Sequence, residues 1–102
     1  MAMLVSLRDE RENLIEMVAS DPALGWVVPY LPPGEFPMIG HIDPYGNTIF
    51  NRSQMRALRA EIDVCRTDER VKPGAVEFLL EISRLCELGD KRPHKFLWFL
   101  GD

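Results

Sequence analysis

The stretch "KFLWFL", residues 95–100, decides the architecture. Successive side chains along a strand point to opposite faces. Read as a strand, it sets Phe96, Trp98 and Leu100 on one side and Leu97 and Phe99 on the other. Both faces are apolar, so this strand needs cover on two sides. Left at an edge, it would be an aggregation hazard.

Upstream of it, residues 73–88 predict a helix. Pro73 suits the first turn and Gly89 the position just past the end. Val76, Phe78, Leu79, Leu80, Ile82, Leu85, Cys86 and Leu88 cover most of its circumference. A helix apolar almost all round is buried on more than one side. Residues 52–66 predict another helix, with Met55, Leu58, Ile62 and Cys65 at intervals of three and four. Asn51 and Gln54 have the spacing of a capping box.

Residues 38–51 predict a hairpin. Met38–Ile42 reads as one strand and Thr48–Phe50 as the other. Between them, Asp43-Pro44-Tyr45-Gly46 puts each residue where a type I turn prefers it. Residues 22–38 hold five of the eight prolines, together with Trp26, Tyr30 and Phe36. That forbids a helix, and the segment is too apolar for a flexible linker. It either packs on the core or offers a binding surface. At the start, Leu7, Leu14, Ile15 and Val18 lie on one face at helical spacing, which predicts a helix over 7–20 ended by Asp21-Pro22.

The expected fold is therefore α+β in one domain, residues 1–102, in the order α-β-β-α-α-β. The second and third helices pair on one face of a small, mostly antiparallel sheet. In a three-stranded sheet the hairpin strands are neighbours, which leaves 95–100 at an edge. Either Met3-Leu4-Val5 adds a fourth strand beside it, or a second copy of the chain pairs with it. The second solution is preferred here, and with it a homodimer.

Composition narrows the function classes. The net charge is −4 with a pI near 5.1, which argues against binding nucleic acid or an anionic membrane. No apolar run approaches the roughly 20 residues that span a bilayer. The start, with Arg8-Asp9-Glu10-Arg11-Glu12 following Met1–Leu7, lacks the pattern of a signal peptide. Cys65 and Cys86 both sit among apolar neighbours, as thiols do in a reducing cytoplasm.

Four constellations are candidates for chemistry. His41 and Asp43 share a strand face, and His94 could join them as metal ligand or acid/base pair if the last strand lies beside the first. The plainer reading gives Asp43 to the turn and leaves both histidines as surface residues. Arg52, Arg56 and Arg59 form one helical stripe that could hold a phosphate or carboxylate. The plainer reading is a solvated face with an Arg59–Asp63 pair. The two cysteines occupy apolar helical positions, which suits packing rather than nucleophilic chemistry. Trp26, Tyr30, Phe36 and Tyr45 are aromatics on proline-stiffened loops, the residue type that anchors interfaces, and Glu35 and Asp43 could steer a basic partner.

The stretch "YLPPGEFPMIGHIDPYGNTIFNRSQM" with the closing "PHKFLWFLGD" resembles small hypothetical bacterial proteins carried on mobile genetic elements. These include gene-cassette proteins and members of loci resembling toxin–immunity pairs. The resemblance spans about residues 28–102 and carries no activity or catalytic residue over. It implies a small accessory protein that works by binding. The expected function is a non-enzymatic, cytoplasmic protein-binding role, immunity- or antitoxin-like, without catalytic residues, metal or cofactor. It would act through loop 26–37 and hairpin 38–50. The competing expectations are a small enzyme or ligand-binding protein around His41, Asp43 and His94, and a purely oligomer-forming role for the aromatics.

Overall fold

The computed structural model describes residues 3–18 and 31–101. The elements are β1 (Leu4–Asp9), β2 (Leu14–Val18), a short 3-10 helix (Ile39–His41), β3 (Asn47–Phe50), α1 (Arg52–Cys65), α2 (Pro73–Asp90) and β4 (Lys95–Leu100). The four strands form one antiparallel sheet in the order β2-β1-β4-β3, and both helices pack on one face of it. The expected α+β fold with a helix pair on a small sheet is what the chain adopts.

The sheet's cover differs from the expectation. β4 is an inner strand, between β1 and β3. Its whole length pairs with β1, from Leu4 opposite Leu100 to Asp9 opposite Lys95. The backbone groups of the most apolar strand are thus satisfied on both sides within one chain. Of the two solutions considered for it, the added fourth strand is the one adopted.

The helix expected over 7–20 is a hairpin through Val18, and residues 19 and 20 lie outside the described part. The spacing of Leu7, Leu14, Ile15 and Val18 fits a helical stripe, but Val5 and Leu7 also alternate as a strand face requires. Pairing with β4 selects the strand, and the turn is built by Asp9. Its carboxylate accepts from the amides of Arg11 and Asn13 at 2.9 and 3.0 Å, which reverses the chain. Glu12 completes the turn with φ 64°. A register shift between Leu7 and Arg8 makes a β-bulge, because Leu7 faces Glu16 while Arg8 faces Leu14.

Two further expectations are corrected. Met38–Ile42 is not a strand. It holds the 3-10 helix, and β3 finds its partner in β4. The cause lies on α1, where the Glu61 carboxylate accepts from the amides of Met38 and Ile39 at 2.9 and 3.1 Å. Those donors are therefore spent on a helix-like turn. Gly89 does not follow α2 but lies inside it, buried. A Cβ there would sit 2.9 Å from Leu7 Cδ1 and 3.0 Å from Met55 Cε, so glycine is what lets α2 approach β1 and α1 closely.

The predicted cap and turn are present. Asn51 caps α1 in a full capping box, with Gln54 N donating to Asn51 Oδ1 and Asn51 N to Gln54 Oε1. The Asp43–Gly46 turn closes with Tyr45 N on Asp43 Oδ1 at 2.9 Å. Opposed residues share a face of the sheet. Val5, Leu7, Thr48, Phe50, Leu97 and Phe99 therefore form the helix side, and all six are buried. Phe50 and Phe99 meet edge-on, centroids 5.6 Å apart. Met55, Leu58 and Ile62 of α1 and Phe78, Leu79, Ile82 and Leu85 of α2 complete this core.

Candidate functional site

The predicted site residues divide into those that the fold uses and those that it leaves free. Trp26 and Tyr30 lie outside the described residues. Phe36 is not an exposed anchor. It is buried, with the Arg70 guanidinium 5.9 Å above its ring. Glu35 does not wait for a basic partner, because Arg70 holds it at 2.6 Å. Arg70 also binds Asp68, whose carboxyl its hydrogen bonds hold down to about 2. Leu31, Phe36, Ile39 and Ile42 are all buried, so residues 31–42 act as a core lid. Tyr45, at the tip of its turn, is 73% exposed.

The arginine stripe of α1 is satisfied by α2. Arg52 and Arg56 both reach Asp90 Oδ1, at 3.1 and 2.6 Å, and Arg52 also donates to the Asp90 carbonyl at 2.6 Å. Arg56 first, then Arg52, holds the Asp90 carboxyl below its usual range. Arg59 pairs with Glu87 at 3.4 Å, in place of the expected Asp63. The stripe joins the start of α1 to the end of α2 and is not an open anion site.

His41, Asp43 and His94 do not converge. The Asp43 turn packs at the end of β4, where Gly101 N donates to Gly46 O at 2.8 Å. His94 precedes the other end of the same strand, so roughly 20 Å of extended chain lies between the two. His94 has φ 63° and turns the chain into β4. That conformation is several-fold enriched in histidine. Among the described residues no group of three His, Cys, Asp or Glu side chains could hold a metal ion. Cys65 and Cys86 are free thiols in the core, and burial pushes them up to about 11 and about 12. They remain protonated at neutral pH, as packing residues should.

The surface that stands out is the sheet face opposite the helices. Register places Leu4, Ser6, Arg8, Leu14, Met17, Asn47, Ile49, Phe96, Trp98 and Leu100 on it. Among the described residues neither helix lies over this face. Ile49 and Met17 are each 46% exposed, and Leu4, Phe96, Trp98 and Leu100 are half-buried. At its middle the Arg8 guanidinium lies 5.1 Å from the centroid of Trp98, and Arg8 Nε donates to the buried Ser6 Oγ at 3.1 Å. A chain with 16 acidic residues places none of them among these ten positions. Charge depletion with Trp, Met and Arg at the centre is the composition of an interface core.

This face was legible only in part. The alternation of Phe96, Trp98 and Leu100 is plain in the sequence. Arg8 and Met17 fell on a supposed helix, so their place beside Trp98 was not. The chain matches no protein-family model, no curated protein and no solved structure.

Among the described residues no helix is long and apolar enough to cross a membrane.

Proposed function

We propose that this protein is a non-enzymatic binding protein that captures another protein on the open face of its sheet. The observation that carries the reading is the Arg8–Trp98 pair at the centre of an apolar face that holds no carboxylate among the described residues. Stacking holds the guanidinium in place before a partner arrives, so less side-chain entropy is lost on binding.

The charge on this face defines the partner. Among the described residues its only formal charge is the cation of Arg8, so a complementary surface is apolar and brings a carboxylate to the guanidinium. A second copy meeting it face to face would oppose Arg8 with Arg8 at the centre, and its nearest described carboxylate, Asp43, lies at the adjoining turn. The reading is therefore a heterologous partner. The homodimer expected from the sequence had rested on an exposed last strand, and β4 is paired on both sides. Tyr45 and Asp43, exposed at the adjoining turn, extend the contact surface. Capture of another protein suits an immunity- or antitoxin-like role, and two buried free thiols suit a reducing cytoplasm.

The test uses the full chain, an Ile49→Asp variant on the open face and an Arg66→Glu variant on the helical exterior, each immobilised against lysate. The expected result is a protein retained by the wild type and by Arg66→Glu but lost with Ile49→Asp. The purified partner should then bind the wild type in titration, and Arg8→Glu should weaken it about tenfold or more. If nothing depends on Ile49, the reading fails. If light scattering instead finds a dimer that Ile49→Asp dissolves, the occupant is a second copy and the heterologous reading is overturned.

A further inference from the structure

A second feature lies on the opposite, helix side of the sheet and does not depend on the open face. The β-bulge lets two consecutive residues of β2 reach that side. Glu16 meets Arg84 of α2 at 2.8 Å, and Ile15 turns into a cleft with Leu7 and Leu88. Bulges commonly re-aim one side chain in this way. Ile15 is 42% exposed there, although it is a large aliphatic residue. The cleft encloses about 350 Å³, and its only polar lining is Lys91, Arg92 and Lys95.

These three cations differ from the five arginines that tie the helices to carboxylates. Arg52, Arg56, Arg59, Arg70 and Arg84 each have a carboxylate partner. Among the described residues Lys91 and Arg92 have none. Lys95 is opposite Asp9 and attracts its carboxylate, which also accepts from the amides of Arg11 and Asn13. Asp90, next in sequence to Lys91, is held by Arg52 and Arg56. An acidic protein thus gathers three cations around one apolar cleft.

Cations after a helix also offset the negative end of its dipole, and that accounts for Lys91 and Arg92. It does not account for Lys95 on β4, nor for the bulge that turns Ile15 into the same cleft. A site with an apolar floor and a few charged groups at the rim is built for a ligand with a tail and a head. We infer that the cleft binds a free medium-chain carboxylate, its alkyl tail on Leu7, Ile15 and Leu88 and its carboxylate among Lys91, Arg92 and Lys95.

The experiment is calorimetric titration of the full chain with decanoate, decanol and acetate, together with amide chemical-shift mapping. Decanoate should bind, with shifts centred on Ile15, Leu88 and residues 91–95. Decanol should bind at least about tenfold more weakly, which is about 1.4 kcal/mol, and acetate should not bind. Ile15→Asp should abolish binding. The double variant Lys91→Ser, Arg92→Ser alters only exposed positions after α2, and it should weaken decanoate while leaving decanol unchanged. Equal affinity for decanoate and decanol would overturn the inference. So would shifts centred on Ile49 and Trp98, unaltered binding in the double variant, or no binding at millimolar decanoate.

Discussion

On the helix side of the sheet, Val5, Leu7, Leu97 and Phe99 are each 1% exposed or less. One residue along the same strands, Leu4, Phe96, Trp98 and Leu100 are only half-buried, and Ile49 of β3 is 46% exposed. Both sets are strongly apolar, so hydrophobicity does not distinguish them. What differs is the neighbour. The first set meets the apolar stripes of α1 and α2, while among the described residues the second meets no helix and has a guanidinium at its centre. Apolar content tells which residues seek cover. Which of them obtain it within the chain depends on where the helices lie.

That contrast can be broken most directly by substitution. Phe99→Ala should cost about 3–5 kcal/mol, the usual loss for an aromatic core residue, whereas Ile49→Ala should cost less than about 1 kcal/mol. Urea denaturation of the two variants measures both. Equal losses would mean that the second face is covered in solution.

The next effect concerns how the helical layer is closed. Glu61→Ala leaves the amides of Met38 and Ile39 without their acceptor and should cost about 1.5–3 kcal/mol, as loss of a charged hydrogen-bond partner does. Hydrogen exchange should quicken at those two amides, while the pairing of β1 with β4 stays protected. If exchange quickens throughout the sheet instead, the lid and the sheet are one cooperative unit. Smaller again, Asn51→Ala removes the acceptor at the start of α1 and should cost about 1 kcal/mol.

The smallest effect is set by pH. The carboxyls of Asp68, Glu35 and Asp90 are all held below their ordinary values by arginines. For Asp68 the fall is from 3.8 to about 2. A lowered folded value means that the unfolded chain takes up the proton first. The contribution is complete above about pH 5 and is lost as the pH falls through about 4 towards 2. Thermal unfolding should be flat above that window, and Asp68→Asn should make the acid decline shallower. These groups are exposed, so added salt should reduce the effect. A decline that begins near neutral pH would point to some other group.

The elements that were legible in the sequence carry their own local signals. α1 has its capping box, α2 has Pro73 and an apolar circumference, and the turn at 43–46 has Asp, Pro and Gly in the positions they favour. The missed elements depend on distant residues. Leu7 to Val18 satisfies a helical template as well as a strand, and β4, far along the chain, supplies the partner that selects the strand. Met38 to Ile42 has the composition of a strand, and a carboxylate on α1 withdraws its donors. The site follows the same pattern. Phe96, Trp98 and Leu100 could be read as a face, but Arg8 joined them only once its own strand was known. The arginine stripe looked free because Asp90 and Glu87 lie on another helix.

The pairing of β1 with β4 bears on how the chain is made. On the ribosome β1 is the first of the four strands to emerge and β4 the last of them. Until then β1 has only β2 beside it, and a lone two-stranded hairpin is at best marginally stable in water. Both helices meanwhile leave the exit tunnel with apolar surfaces and an incomplete sheet to pack on. The sheet therefore closes only once β4 is available, when Leu100 reaches Leu4. A translational stop or a protease cut before Lys95 yields no smaller version of this fold. It yields a chain with two exposed apolar helices, a substrate for chaperones and proteases.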